Sequence, residues 1–151
     1  MKICIAHFRV GLTDGVSLQI DERVRILKRL GQEVYLIASS GSPLGGLKIP
    51  FLDYKQHPKI KKIQKSAFRA ELSEEQLALT KKKIEKIATE IEKSLNDFWE
   101  DKQFTLIFIH NIFSLPVCLP ATIAFYNFLK NHPQITAIAV HHDFYWDPPR
   151  I

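Results

Sequence analysis

The passage His141-His142-Asp143 holds the densest group of side chains able to donate, accept or shuttle a proton. It follows the apolar run Ala137-Ile138-Ala139-Val140 without a gap, and Phe144-Tyr145-Trp146 follow it in turn. Rings beside polar groups suit sugar binding, because the C–H faces of a pyranose pack on aromatic surfaces. Two further passages have the same build. His110-Asn111 closes the apolar run Phe104–Ile109, and His7-Phe8-Arg9 closes Lys2–Ala6. After the last of these comes a glycine-containing loop, Val10 to Asp14-Gly15-Val16-Ser17. Glycine lets backbone approach a ligand closely, and a helix N-terminus favours an anion.

Other chemistries fail on spacing or on missing partners. Neighbouring residues of a strand point to opposite faces, so His141-His142-Asp143 is a poor metal cage, and no metal is expected. A Ser-His-Asp arrangement has no identified nucleophile. The loop before Ser17 is neither a Gly-x-Gly-x-x-Gly fingerprint nor a phosphate-binding Gly-Lys-Ser/Thr loop. Each passage also has a plainer reading: a tight strand-to-helix turn, a hydrogen-bonded loop histidine, a structural polar cluster at a domain edge.

The elements that would position these residues are legible as an alternation. Five apolar segments read as strands: Lys2–His7, Glu33–Ala38, a weak one at Lys48–Leu52, Phe104–His110 and Ile135–His141. Continuous apolar runs suit strands covered on both faces. Helices are expected at Ser17–Leu30, with Gly31 as the stop, and at Ser73–Trp99. In the second of these, Ser73 and Gln76 form a capping box, and Ile84, Ile87, Ile91, Leu95 and Phe98 form one apolar stripe. A third helix lies within Leu115–Asn131, either starting near Pro120 or kinked in its first turn. The pattern predicts an α/β domain: a Rossmann-like, doubly wound, mostly parallel sheet with helices on both faces. In such sheets ligands sit outside the carboxyl ends of the strands, where the histidine passages fall.

At 151 residues with 46% hydrophobic and 25% charged content, the chain reads as one soluble globular domain. The opening apolar run is too short for a signal peptide, and no window approaches a membrane span, so a cytoplasmic location is expected. Cys4 and Cys118, far apart and in apolar settings, read as buried hydrophobes. The net charge of +5 comes largely from residues 55–69, which carry five lysines, Arg69 and no acid. Within it Lys59–Arg69 could form an amphipathic surface helix meeting an anionic membrane; a solvated face is the plainer alternative. No nucleic-acid recognition motif accompanies the charge, so nucleic-acid binding is not expected.

Asp14-Gly15-Val16-Ser17, followed by Leu30-Gly31-Gln32-Glu33-Val34, resembles the opening of retaining glycosyltransferases of the GT-B type, family 4. His110-Asn111-Ile112-Phe113-Ser114-Leu115-Pro116 and His141-His142-Asp143-Phe144-Tyr145-Trp146 resemble a subset of that family. The resemblance runs from Met1 to Trp146 and is weakest over residues 40–72. It implies that residues 1–147 are the acceptor-side N-terminal domain of a two-domain enzyme, with 148–151 a linker cut short. It also implies a hexose transferred from a nucleotide sugar to a sugar or small polar acceptor, with no cofactor. Asp14, Gly15, Val16 and Ser17 would approach the donor diphosphate or the acceptor. His110 and Asn111 would line the acceptor side. His141 or His142 would contact the transferred sugar, with the His142-Asp143 pair favoured for the role nearest the reaction. In that family a second domain grips the donor, so the isolated chain is expected to be inactive and could dimerise through the face left open. The competing reading is a stand-alone Rossmann-like module that binds a nucleotide, an anionic membrane surface or a protein partner.

Overall fold

The computed structural model describes residues 1–40, 46–68 and 71–143. Five parallel strands form one sheet: β1 (Lys2–Ala6), β2 (Glu33–Ala38), β3 (Leu47–Lys48), β4 (Leu106–His110) and β5 (Thr136–Val140), in the order β3-β2-β1-β4-β5. Among the described residues four α-helices accompany them: α1 (Gly15–Arg29), α2 (Pro58–Ala67), α3 (Glu74–Lys102) and α4 (Leu119–Asn131). This is the α/β, Rossmann-like arrangement expected from the alternation.

The two faces of the sheet bury different sets of residues, as the period of two requires. Cys4, Ala6, Tyr35, Ile37, Ile107 and Ile109 share a core with Ile84, Ile87, Ile91 and Leu95 of α3, Phe125 and Phe128 of α4, and Ile60 and Ile63 of α2. Ile5, Val34, Leu36 and Ala38 face the other way and pack on Ile20 and Val24 of α1. The chain thus winds in two directions from β1, with α1 on one side and α2, α3 and α4 on the other. The order reverses between β1 and β4, and that crevice is the topological switch point where ligands of open α/β sheets bind.

Local chemistry explains the helix ends. Asp14 caps α1 by accepting the Ser17 backbone N–H at 3.0 Å. Gly31 ends it at φ +72°, a conformation that costs glycine nothing. Ser73 and Gln76 close the capping box of α3 in both directions, at 3.2 Å each. Pro120 sits in the first turn of α4, where its missing N–H is not needed, so the helix starts there without a kink.

Three expectations need correction. The strand read over Lys48–Leu52 is only Leu47–Lys48. Pro50 has no N–H for a ladder and begins a 3-10 turn, Pro50–Leu52. The helix over Lys59–Arg69 exists as α2, but Ile60 and Ile63 turn into the core, so its apolar side is not offered to a surface. Arg69 lies outside the described residues, as do Phe144 to Ile151, which take in the aromatic run and the stretch 148–151 expected to be a linker. β5 is not covered on both faces. It is an edge strand with Thr136 to Ala139 exposed among the described residues, although its sequence is apolar.

Gly46 has a steric reason of its own. A Cβ there would lie 2.0 Å from the Leu36 carbonyl oxygen, so only glycine lets the chain enter β3 against β2. Both cysteines are buried and free, and burial raises their thiols, that of Cys118 to about 11. Among the described residues no helix is long and apolar enough to cross a membrane.

Candidate functional site

Parallel register brings the chemistry together. Ile5 pairs with Phe108, and Phe108 with Ile138, so residues two positions on from each again share the α1 face. His7 follows β1 and His110 ends β4, side by side across the switch point. The His7 ring N–H at Nδ1 donates to the His110 carbonyl at 3.0 Å. His142, two residues past β5, completes the row. Its ring meets that of His110 edge to edge, with centroids 5.1 Å apart and planes 20° apart, and His110 Nδ1 lies 2.9 Å from His142 Nε2.

Asn111 ties the ends of β4 and β5. Its Oδ1 accepts the His142 backbone N–H at 2.8 Å, and its Nδ2 donates to Asp143 Oδ2 at 3.2 Å. It holds φ +59°, a left-handed conformation that asparagine tolerates better than most side chains. The turn to His142-Asp143 is therefore fixed by one buried amide.

Electrostatics keeps the row neutral. His110 is fully buried, and burial first, then Arg23, His142 and His7, push its pKa down to about 3. Burial likewise lowers His7, against the pull of Asp14, and lowers His142, against the pull of Asp143. Neutral imidazoles offer one N–H and one lone pair each, which suits directional recognition of hydroxyls. From α1, Arg23 lays its guanidinium over the Phe108 ring, 4.7 Å from the centroid, with Nη1 3.5 Å from His110 Nε2.

The α1 entry stands at the same rim, since Asp14 acts electrostatically on His7. The Ser17 backbone N–H, the strongest influence, holds the Asp14 carboxyl below the usual range, and Ser17 Oγ donates to Asp14 Oδ2 at 3.1 Å. Ser17 is buried and Val16 packs on the α1 core, so those two shape the turn. Gly15 is different: a Cβ there would meet no atom within 4 Å, so nothing inside the described chain requires glycine.

Of the residues singled out from sequence, the structure brings His110, Asn111, His142 and Asp143 into one bonded cluster. Asp14 to Ser17 lie beside it. His141 is exposed, and it is His142 that reaches His110. Sequence reasoning marked His7 as the end of the first strand but gave it no role, and it passed over Arg23. His7 could have been found from strand register, because it lies level with His110. Arg23 carries no signal in the sequence, since it is one of four basic residues on α1.

The chain is 35% identical over 147 residues to a mannosylglucosylglycerate synthase of Petrotoga mobilis, covering 97% of this chain and 33% of that protein. It is 29% identical over 151 residues to a mannosylglucosylglycerate synthase of Thermotoga maritima, with the same shares covered. Its relatives are glycosyltransferases. The chain spans about a third of the length of these curated relatives. No protein-family model matches the chain, and no solved structure does.

Proposed function

We propose that this chain is the acceptor-side, N-terminal domain of a retaining GT-B glycosyltransferase of family 4, and that the strand-end row His7–His110–His142 forms one wall of its reaction site. The observation that carries the reading is the His110–His142 contact at 2.9 Å, which joins the ends of β4 and β5 beside the switch point in a chain whose relatives make a glycoside. The relatives' product, by its name, contains mannose, glucose and glycerate. The acceptor proposed here is of that class: a glucosylglycerate, with sugar hydroxyls for neutral imidazoles and a carboxylate for Arg9 or Arg23. The donor is a nucleotide sugar carrying a hexose. His142, oriented by His110 and Asn111, positions the transferred sugar, Asp143 stands beside it, and Gly15 leaves room for the acceptor or the donor diphosphate.

Retaining transfer needs the departing diphosphate stabilised more in the transition state than in the ground state. In this reading a second domain supplies the groups that stabilise the diphosphate, so the chain alone is expected to bind acceptor without turning it over. Titration calorimetry with glucosylglycerate tests this. Binding that His142→Ala weakens about tenfold, the usual worth of one good hydrogen bond, supports the assignment. Binding that His142→Ala and Asn111→Ala leave unchanged removes the row from the site.

A second reading rests on one observation. Lys59 and Lys62 of α2 and Lys83 and Lys86 of α3 rim a groove of about 290 Å³ with Ile63 and Ile87 in its lining. Such a surface suits an anionic partner: a nucleotide, an acidic protein or an anionic membrane that holds the enzyme peripherally. Liposome co-sedimentation with Lys61→Glu and Lys62→Glu tests the membrane form of it, and unchanged binding excludes it. The β5 edge, unpaired among the described residues, supports pairing with a second copy, which a clean monomer in sedimentation at high concentration would exclude.

A further inference from the structure

We infer that Arg23 acts through His110 to fix the tautomer of His142, so that His142 presents an N–H at Nδ1, and not a lone pair, to the ligand of the strand-end site. The inference rests on the acceptor-site reading only for the ligand's identity; the proton positions follow from geometry.

The argument starts at the guanidinium, which has donors and no acceptor. Arg23 Nη1 lies 3.5 Å from His110 Nε2, so that nitrogen carries a lone pair. A neutral imidazole has one N–H, which for His110 must then be at Nδ1. There it faces His142 Nε2 at 2.9 Å and donates to it. His142 Nε2 is therefore the acceptor, and the single proton of neutral His142 sits on Nδ1. Among the described residues that nitrogen has no hydrogen-bond partner, and His142 is partly exposed. A second proton on His110 would set N–H against N–H at the Arg23 end, in a fully buried ring.

Arg23 is held for this task. Its guanidinium rests on Phe108, which lies two residues before His110 on the same face of β4, and among the described residues no carboxylate pairs with it. The other groups acting on the row are His7, whose Nδ1–H is spent on the His110 carbonyl, and Asp14, Arg9, His141 and Asp143. Asp143 acts on His142, but its bonded partner is the Asn111 amide. Nothing in this set competes for His110 Nε2.

A donor at His142 Nδ1 orients a hydroxyl, carboxylate or phosphate oxygen and cannot take a proton from it. Arg23 is thus a positioning residue, and His142 is a hydrogen-bond donor in the transfer, not a base.

The test is a long-range proton–nitrogen correlation spectrum of the 151-residue chain with labelled histidine, near neutral pH and without ligand. The expected pattern is a protonated Nδ1 and a bare Nε2 on both His110 and His142. Arg23→Met should shift both rings toward the Nε2–H form, with loss of the Nδ1–H pattern. Arg23→Lys, which keeps a donor over Phe108, should restore it. A wild-type His142 with its proton on Nε2 overturns the inference whether or not the Met variant folds. A pattern unchanged in the Met variant overturns the role of Arg23. Failure of the acceptor reading looks different: the Nδ1–H pattern holds, and glucosylglycerate does not perturb it.

Discussion

His110 pays for its position with its basicity. An unfolded histidine titrates near 6.5, whereas buried His110 titrates at about 3. Between those values the unfolded chain binds the extra proton and the folded chain does not. Its contribution to stability is complete above about pH 6.5 and falls as the pH drops through the window. The slope approaches about 1.4 kcal/mol per pH unit for one proton. Urea unfolding at a series of pH values between 7 and 4.5 should show this slope, and His110→Gln should flatten it. An equal slope in the variant would mean that His110 is protonated in the fold. His7 and His142, lowered in the same direction, add to the trend. The histidine passages were visible in the sequence because each interrupts an apolar run. Their joining into one row was not, because it depends on the pairing of β1 with β4 and on the left-handed turn at Asn111.

Elements whose signals are local were legible. The Ser73 box, the α3 stripe, the Gly31 stop and the Pro120 start all formed as read. Elements whose extent is set by a neighbour were not. β3 is cut to two residues because Pro50 cannot join a ladder and because Gly46 brings the chain against Leu36. Gly46→Ala should therefore disturb β3 and lower the melting temperature by several degrees, the shift that about 1 kcal/mol or more produces in a domain of this size. Gly15→Ala provides the contrast. Its Cβ enters open space at the start of α1, so the melting temperature should hold while acceptor binding weakens. Equal thermal effects from the two substitutions would contradict this account of both glycines. α2 marks another limit of sequence reading. Its lysines signalled a surface helix, but whether Ile60 and Ile63 face water or core is decided by α3 packing against them.

For the molecule as a whole, the parallel sheet, its strand order and its two-sided winding concentrate polar side chains at one end, and among the described residues β5 stands at the edge of the sheet. The alternation of segments was enough to give the parallel sheet with helices on both faces from sequence, but not the order of its strands. The exposure of β5 was not, since the run Ala137 to Val140 reads the same in an edge strand and a buried one. The central claim is that the strand ends, and not the lysine groove, receive the acceptor. Backbone amide shift mapping of the chain titrated with glucosylglycerate tests it most directly. The account predicts saturable shifts at Gly15, Asn111, His142 and Asp143, with Lys62 and Lys83 unmoved. Shifts confined to the α2–α3 groove, or none at any concentration, would contradict it.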